Sequence, residues 1–325
     1  MRRRGTILTA LPFAIVFSLA IGLGVAALFA SPGRSTEGGV PTPSATAVAT
    51  PTAAATSTTV VPSPQPTTAP PAASSSNDPA EMLRAHNALR LEVGAPAVRG
   101  DDRVTAAAQR HAEYLARNNA LGHEEAPGGA GFSGVSVRDR LAAQGYADAT
   151  VSEVATSFSS GTQGVRSLWV LPYHRLGLMH PHAVVAGWGH AELDGRRVTV
   201  GVIVYDFGSA SPDVVRSPAS GQQVSPSWDG EELPDVLPAG AARPVGYPVM
   251  LVYSRAQTAE LRSARLTDAS GREVPFHAVP QIYERDYLAI VPSSPLSPAT
   301  RYRVRFEVRL AGADVTEEWE FATGR

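Results

Sequence analysis

The stretch LWVLPYHRLGLMHPH, residues 168–182, places three of the chain's eight histidines, His174, His180 and His182, within nine residues. Trp169 and Tyr173 stand beside them, and Pro172 and Pro181 interrupt the backbone near both ends. Imidazole is the side chain that most readily holds a metal or carries a proton near neutral pH. An aromatic, histidine-rich turn is also ordinary packing material, so its chemistry depends on what the fold brings to it. His180 and His182 flank Pro181 in a turn, cannot easily face one cleft together, and read as surface or supporting residues. His174 is left as the functional candidate of the stretch.

Upstream the pattern is helical. Asp78-Pro79 is a cap followed by a helix-starting proline, and Met82, Leu83, His86, Leu89 and Leu91 lie close to one stripe before Gly94 and Pro96 end it. Asp101 or Asp102 caps a second helix reaching Asn118, with Val104, Ala107, Ala108, His111 and Leu115 at three- and four-residue spacing. His86 and His111 fall on or beside these stripes and read first as core histidines. A glycine-rich loop at 128–134 and a short helix at 137–144, stopped by Gly145, precede an extended segment carrying Glu153. Downstream, strands at 183–191 and 198–207 flank Asp194-Gly195, a strong hairpin signal. Helices first and a hairpin last make this part α+β.

His86-Asn-x-x-Arg90, Gly122-His123, Gly131-Phe-Ser-Gly134, Arg140, Gly145-Tyr146, Glu153, Trp169 and Pro172-Tyr-His-Arg175 occur in an order and spacing that resemble the CAP superfamily. That is the family of cysteine-rich secretory proteins, antigen 5 and plant pathogenesis-related proteins, here in its bacterial form. The resemblance covers residues 79–208 and implies an α-β-α sandwich with a cleft of histidine and glutamate side chains. Carried over, His123 resembles the first cleft histidine, Glu153 the glutamate of a Gly-Glu-Asn motif, and His174 the histidine of a Ser-Pro-Gly-His-Arg motif. Leu171 stands where that serine would be, and no second glutamate is obvious. The resemblance implies His123, Glu153 and His174 as a divalent cation site, zinc among the candidates, or as catalytic acid/base groups. Two imidazoles and a carboxylate suffice for either role.

The 325-residue chain has room for two domains at ~100–200 residues each. It contains no cysteine, which excludes disulfides, thiolate nucleophiles and thiolate-bound zinc. A net charge of -2 offers nucleic acid no general attraction. No GxSxG occurs for a serine hydrolase, and Gly129-Ala-Gly131-Phe-Ser-Gly134, although it has GxGxxG spacing, does not follow a strand as a nucleotide-binding loop must. Arg2, Arg3 and Arg4 precede an uncharged apolar run to Ala30, so residues 1–30 read as a transmembrane signal anchor or a cleaved signal peptide. Residues 31–78 are rich in Pro, Thr, Ala and Ser and read as a disordered stalk. Everything after the first segment is then extracellular, on the membrane surface or secreted.

Residues 209–242 read as a Pro-, Ser- and Gly-rich linker containing Trp228, and residues 243–325 as an all-β sandwich. Tyr302, Val304, Phe306, Val308 and Leu310 alternate with Arg301, Arg303, Arg305, Glu307 and Arg309. The Pro295-to-Tyr302 corner and the terminal Trp319-x-Phe321 resemble bacterial immunoglobulin-like or fibronectin III-like modules. The arginine-rich face reads as a solvated sheet surface before it reads as a site for an acidic glycan. Three functions follow: a non-enzymatic module binding a lipid, glycan, cell-wall or other surface ligand; a metal-dependent hydrolase of peptides or wall polymer; and an adhesion protein whose sandwich does the binding.

Overall fold

The computed structural model describes residues 75–157, 159, 161–254 and 258–325. The expected signal segment at 1–30 and most of the stalk at 31–78 lie outside the described residues. No helix among the described residues is long and apolar enough to cross a membrane.

Local signals in the sequence place the helices. Asp78 caps α1 (Pro79–Glu92) by accepting from the Ala80 and Glu81 N–H groups at 2.7 and 3.3 Å. The buried stripe of α1 is Met82, Ala85, His86 and Arg90, while Leu91, expected inside, is 64% exposed. Arg90 takes that place because its guanidinium reaches backbone carbonyls of Pro96 and Leu178. The short strand β1 (Arg99–Gly100) leads to α2 (Asp102–Arg117), capped by Asp101. A Ser136–Asp139 capping box starts α3 (Val137–Ala143), and Gly145, at φ 75°, closes it as expected.

Then come β2 (Thr150–Thr156), α4 (Gly161–Val170), α5 (Pro172–Met179), β3 (Ala183–Leu193) and β4 (Arg196–Tyr205). Asp194 and Gly195, at φ 50° and 78°, make the tight turn expected between β3 and β4. The sheet runs β1-β3-β4-β2, with β1 parallel to β3 and the other pairs antiparallel. One face, with Val185, Val198, Val200, Val202 and Val204, packs on α2 and α3. The other, with Val154, Ala186, Trp188 and Ile203, packs on α1, α4 and α5. This is the expected three-layer α+β arrangement. Gly187 and Gly189 let α2 lie directly on β3, since a Cβ at either would overlap the α2 backbone at Val104–Thr105 or Ala108–Gln109.

Eight strands build the C-terminal part: β5 (Val214–Ser217), β6 (Gln223–Val224), β7 (Val249–Tyr253), β8 (Ala259–Asp268), β9 (Phe276–Ala278), β10 (Tyr287–Pro292), β11 (Arg301–Leu310) and β12 (Ala313–Thr323). They form two four-stranded sheets, β5-β7-β10-β9 and β6-β12-β11-β8, over a core containing Leu251, Ile290, Val304, Phe306, Trp319 and Phe321. The strand alternation read from β11 is present in the burial pattern. The linker reading of 209–242 is corrected: β5 and β6 belong to the sheets, their short runs being too brief to register as strands. The arginine face is balanced across strands, with Arg303 on Glu320, Arg305 on Glu307 and Glu318, and Arg309 on Asp314. Such exposed pairs contribute little stability, but they cancel the positive field a polyanion would need.

The two parts share a core. Strands β7 and β10 are buried on both faces: Val249, Leu251, Leu288 and Ile290 enter the sandwich interior. Met250, Val252, Tyr287, Ala289 and Val291 belong to the core that holds Leu168, Trp169 and Leu176 of the α+β part. Trp228, Val236 and Leu237 complete the same cluster. The fully buried Arg175 bolts the seam. It donates to the Trp169 and Val170 carbonyls on one side and to Ser217 Oγ and the Pro248 carbonyl, both at 3.0 Å, on the other. Its guanidinium carbon also lies 4.7 Å from the centre of the Tyr247 ring.

Gly189→Ala should lower the thermal midpoint by roughly 5 °C or more, because α2 must move off the sheet to admit the methyl group. Gly195→Ala, which meets no neighbouring atom within 4 Å, should cost less despite its positive φ; calorimetry on both variants checks the order.

Candidate functional site

A carboxylate removed from water needs compensation on both oxygens, and the sequence supplies it from three elements. Glu153 sits mid-strand on β2, fully buried. Its Oε2 accepts from Arg140 of α3 at 2.7 Å. Its Oε1 lies 3.1 Å from His123 Nδ1 and 3.4 Å from Nε2 of His111 on α2. His111 Nδ1 is 3.0 Å from Glu125 Oε1, and Glu125 also accepts from the Ser133 N–H and hydroxyl in the glycine-rich loop. Arg140 further donates to the His123, Gly134 and Val135 carbonyls, tying the loop to the cluster.

Both ring nitrogens of His111 face acceptor oxygens, since Nε2 also lies 3.2 Å from the Gly122 carbonyl. A doubly protonated ring satisfies both ends; a neutral ring satisfies one. Burial opposes ionisation of Glu153, but His111, Arg140 and His123 outweigh it and hold its pKa down to about 2. For Glu125 too, burial is outweighed, by His111, Ser133 and Arg140, and its pKa lies below the ordinary value. Burial lowers the pKa of His123, with Glu153 opposing, so a neutral His123 donates its Nδ1–H to the ionised carboxylate.

His174, on α5, is fully buried. Its Nδ1 is bound at 2.7 Å by Glu232, a residue of the stretch read as linker. The structure therefore brings His123 and Glu153 into contact and gives His174 a different carboxylate. A second buried glutamate, not obvious from sequence, exists twice over, as Glu125 and Glu232. The expected cation set fits poorly. Both oxygens of Glu153 face hydrogen-bond donors, one of them a guanidinium, and no three His, Cys, Asp or Glu among the described residues are placed to share an ion.

His180 and His182 depart from their surface reading. Both are buried, with ring centres 6.0 Å apart, packed on Tyr205 and Phe207. His180 lies 3.5 Å from Asp286 of the sandwich, so the domain seam covers what looked like an open turn. His86 is the expected core histidine, bound to the Leu178 carbonyl at 2.9 Å between Trp169 and Trp188. His190 is half-buried and pairs with Thr199. Sequence reasoning missed His111, Glu125, Arg140 and Glu232 as site residues. For Glu125 the adjacent His123-Glu-Glu run was a usable signal; for Glu232, 58 positions from His174, there was none.

A three-layer α+β domain with a buried His/Glu cluster between its sheet and helices is the class of protein that fold and site define. Residues 83–205 match the family model described as the cysteine-rich secretory protein family, and this segment is a CAP domain. No curated protein matches the chain. Among solved structures, it is similar to an extracellular protein from Bacillus anthracis containing an SCP domain, at 16% identity and a TM-score of 0.34, covering 39% of this chain and 40% of that one. It is also similar to CopC from Methylosinus trichosporium, at 19% identity and a TM-score of 0.24, covering 34% of this chain and 88% of that one. An outer surface protein from Borrelia burgdorferi aligns over 39% of this chain and 90% of its own, at 16% identity and a TM-score of 0.33.

Arg140→Met takes the guanidinium away from two buried carboxylates, Glu125 and Glu153, and should cost about 3–5 kcal/mol, read as a loss in chemical-denaturant midpoint. Acid sensitivity follows most strongly from His86 and Glu153, with His123 and Glu125 shifted in the same directions. Burial, aided by Arg90, pushes the pKa of His86 from 6.5 to about 3, so below pH 6.5 the unfolded chain gains a proton that the fold refuses. Glu153 contributes stability above its ordinary 4.5, lost as pH falls towards about 2. Thermal midpoints should therefore decline from pH 6.5 downward, and His86→Gln should flatten the segment between pH 6.5 and 4.5.

Proposed function

We propose that the chain is an extracellular protein, tethered to the membrane or secreted, whose CAP domain serves as a non-enzymatic binding module for a lipid, glycan or cell-wall ligand. The observation that carries this reading is the state of Glu153: both oxygens engaged, by Arg140 and by His123 with His111, and the side chain out of contact with solvent. A catalytic carboxylate must reach substrate, a metal ligand must offer a lone pair to the cation, and this one is occupied by cationic and neutral donors. The cluster acts as a structural anchor that holds the glycine-rich loop, with exposed Phe132 and Val135, against α3 and β2. The arginine-led apolar segment at the N-terminus supports the extracellular placement. In this reading the C-terminal sandwich is an immunoglobulin-like or fibronectin III-like module that braces the CAP domain instead of binding separately.

The full-length protein, purified without chelator, should carry substoichiometric zinc, and added zinc should leave its thermal midpoint unchanged. It should bind intact cells, wall fragments or lipid vesicles without turning over peptide or peptidoglycan. Turnover that disappears in Glu153→Gln, together with stoichiometric metal, would overturn the reading in favour of a metal-dependent hydrolase.

A further inference from the structure

Helix α5 begins without a side-chain cap of its own. Its first N–H groups need acceptors, and residue 171, at the N-cap position, is leucine, which has none to offer. The donors can be followed one by one. Leu171 N–H reaches the Leu168 carbonyl at 3.3 Å, Pro172 has no N–H, and Arg175 N–H makes the first helical bond, to the Leu171 carbonyl. Tyr173 and His174 remain, and both donate to Glu232 Oε1, at 2.9 and 3.1 Å. The same oxygen holds His174 Nδ1 at 2.7 Å. Glu232 lies beyond the matched CAP segment, in the stretch between β6 and β7, and is itself buried.

We infer that Glu232 is a positioning residue supplied from outside the CAP domain: it caps α5 in place of the side chain that Leu171 lacks and orients the His174 ring. The histidine site is then complete only in the two-part chain. A carboxylate suits both tasks, because a negative charge at a helix N-terminus is favourable and an anionic oxygen accepts several hydrogen bonds at once. The anchor is held rigidly. Glu232 is followed by Val236 and Leu237 in the shared core, while Arg243, pairing with Asp235 at 2.7 Å, ties down the intervening loop. A single oxygen accepting three hydrogen bonds also means that a glutamine can reproduce the geometry. Its amide oxygen takes the place of Oε1, and its nitrogen takes that of Oε2, which has no hydrogen-bond partner among the described residues. This inference does not depend on which ligand, if any, the CAP domain binds.

The test uses the full-length protein, with thermal midpoints and the ring-nitrogen NMR signals of His174 as readouts. Glu232→Ala should lower the midpoint by roughly 5–10 °C, since it orphans two buried N–H groups and a ring donor. It should also abolish the signature of a ring that carries its hydrogen on Nδ1. Glu232→Gln should keep that signature and most of the midpoint. Leu171→Ser should be destabilising in the wild-type chain but clearly less so with Glu232→Ala, because serine then caps the helix locally; the ring signature should stay lost in the double variant. A His174 spectrum unchanged by Glu232→Ala overturns the positioning role. Equal costs of Leu171→Ser in both backgrounds overturn the capping role. Should Glu232→Ala fail to fold, the glutamine variant decides: loss of both ring signature and midpoint counts against the inference, retention of both supports it.

Discussion

Glu153 is a carboxylate held entirely away from water, and the N-terminal half of the structure is arranged around making that tolerable. An isolated buried charge costs several kcal/mol, so each of its oxygens has to meet a donor fixed by some other element. Arg140 comes from α3, His111 from α2, and His123 from the loop between them, while Glu153 itself is pinned in β2 by its pairing with β4. Because Glu125 enters through His111, the glycine-rich loop is drawn in through Ser133. One unavoidable electrostatic requirement thereby orients two helices, a strand and a loop.

The same logic governs the seam. Arg175 is as buried as Glu153 but has no carboxylate in contact; carbonyl oxygens, a serine and the face of Tyr247 satisfy it instead. Burial lowers its pKa, with Tyr247 and Glu232 acting in the opposite sense. Apolar burial supplies the driving force at this boundary, through β7 and β10 packed on both faces, and the polar groups decide the register. A boundary of this kind differs from a flexible linker between beads. It makes the sandwich a structural continuation of the CAP domain, and residues from beyond that domain reach His174 and His180.

Legibility in the sequence followed distance along the chain. The helix cap at Asp78, the stop at Gly145, the Asp194-Gly195 turn and the alternation of β11 are all short-range signals, and they read correctly because propensity and hydrogen bonding within a few residues dictate them. Leu91 misled because its spacing matched the stripe, while Arg90, a residue normally solvated, had carbonyl partners that no local pattern reveals. Of the cluster, His123 and Glu153 were recognisable through resemblance. His111 passed for a core histidine, since an apolar stripe hides whatever faces it from another element.

His174 shows the division most sharply. The sequence by itself singled out this histidine, in a stretch read as a turn, within a domain of α+β type followed by strands; that the turn is the short helix α5, without a capping side chain before it, came from the fold. Only the tertiary structure decided its partner. Glu232 reaches it because two sheets and a shared apolar core carry a distant segment back onto α5, and hydrogen bonds act over about 3 Å of space regardless of separation in sequence.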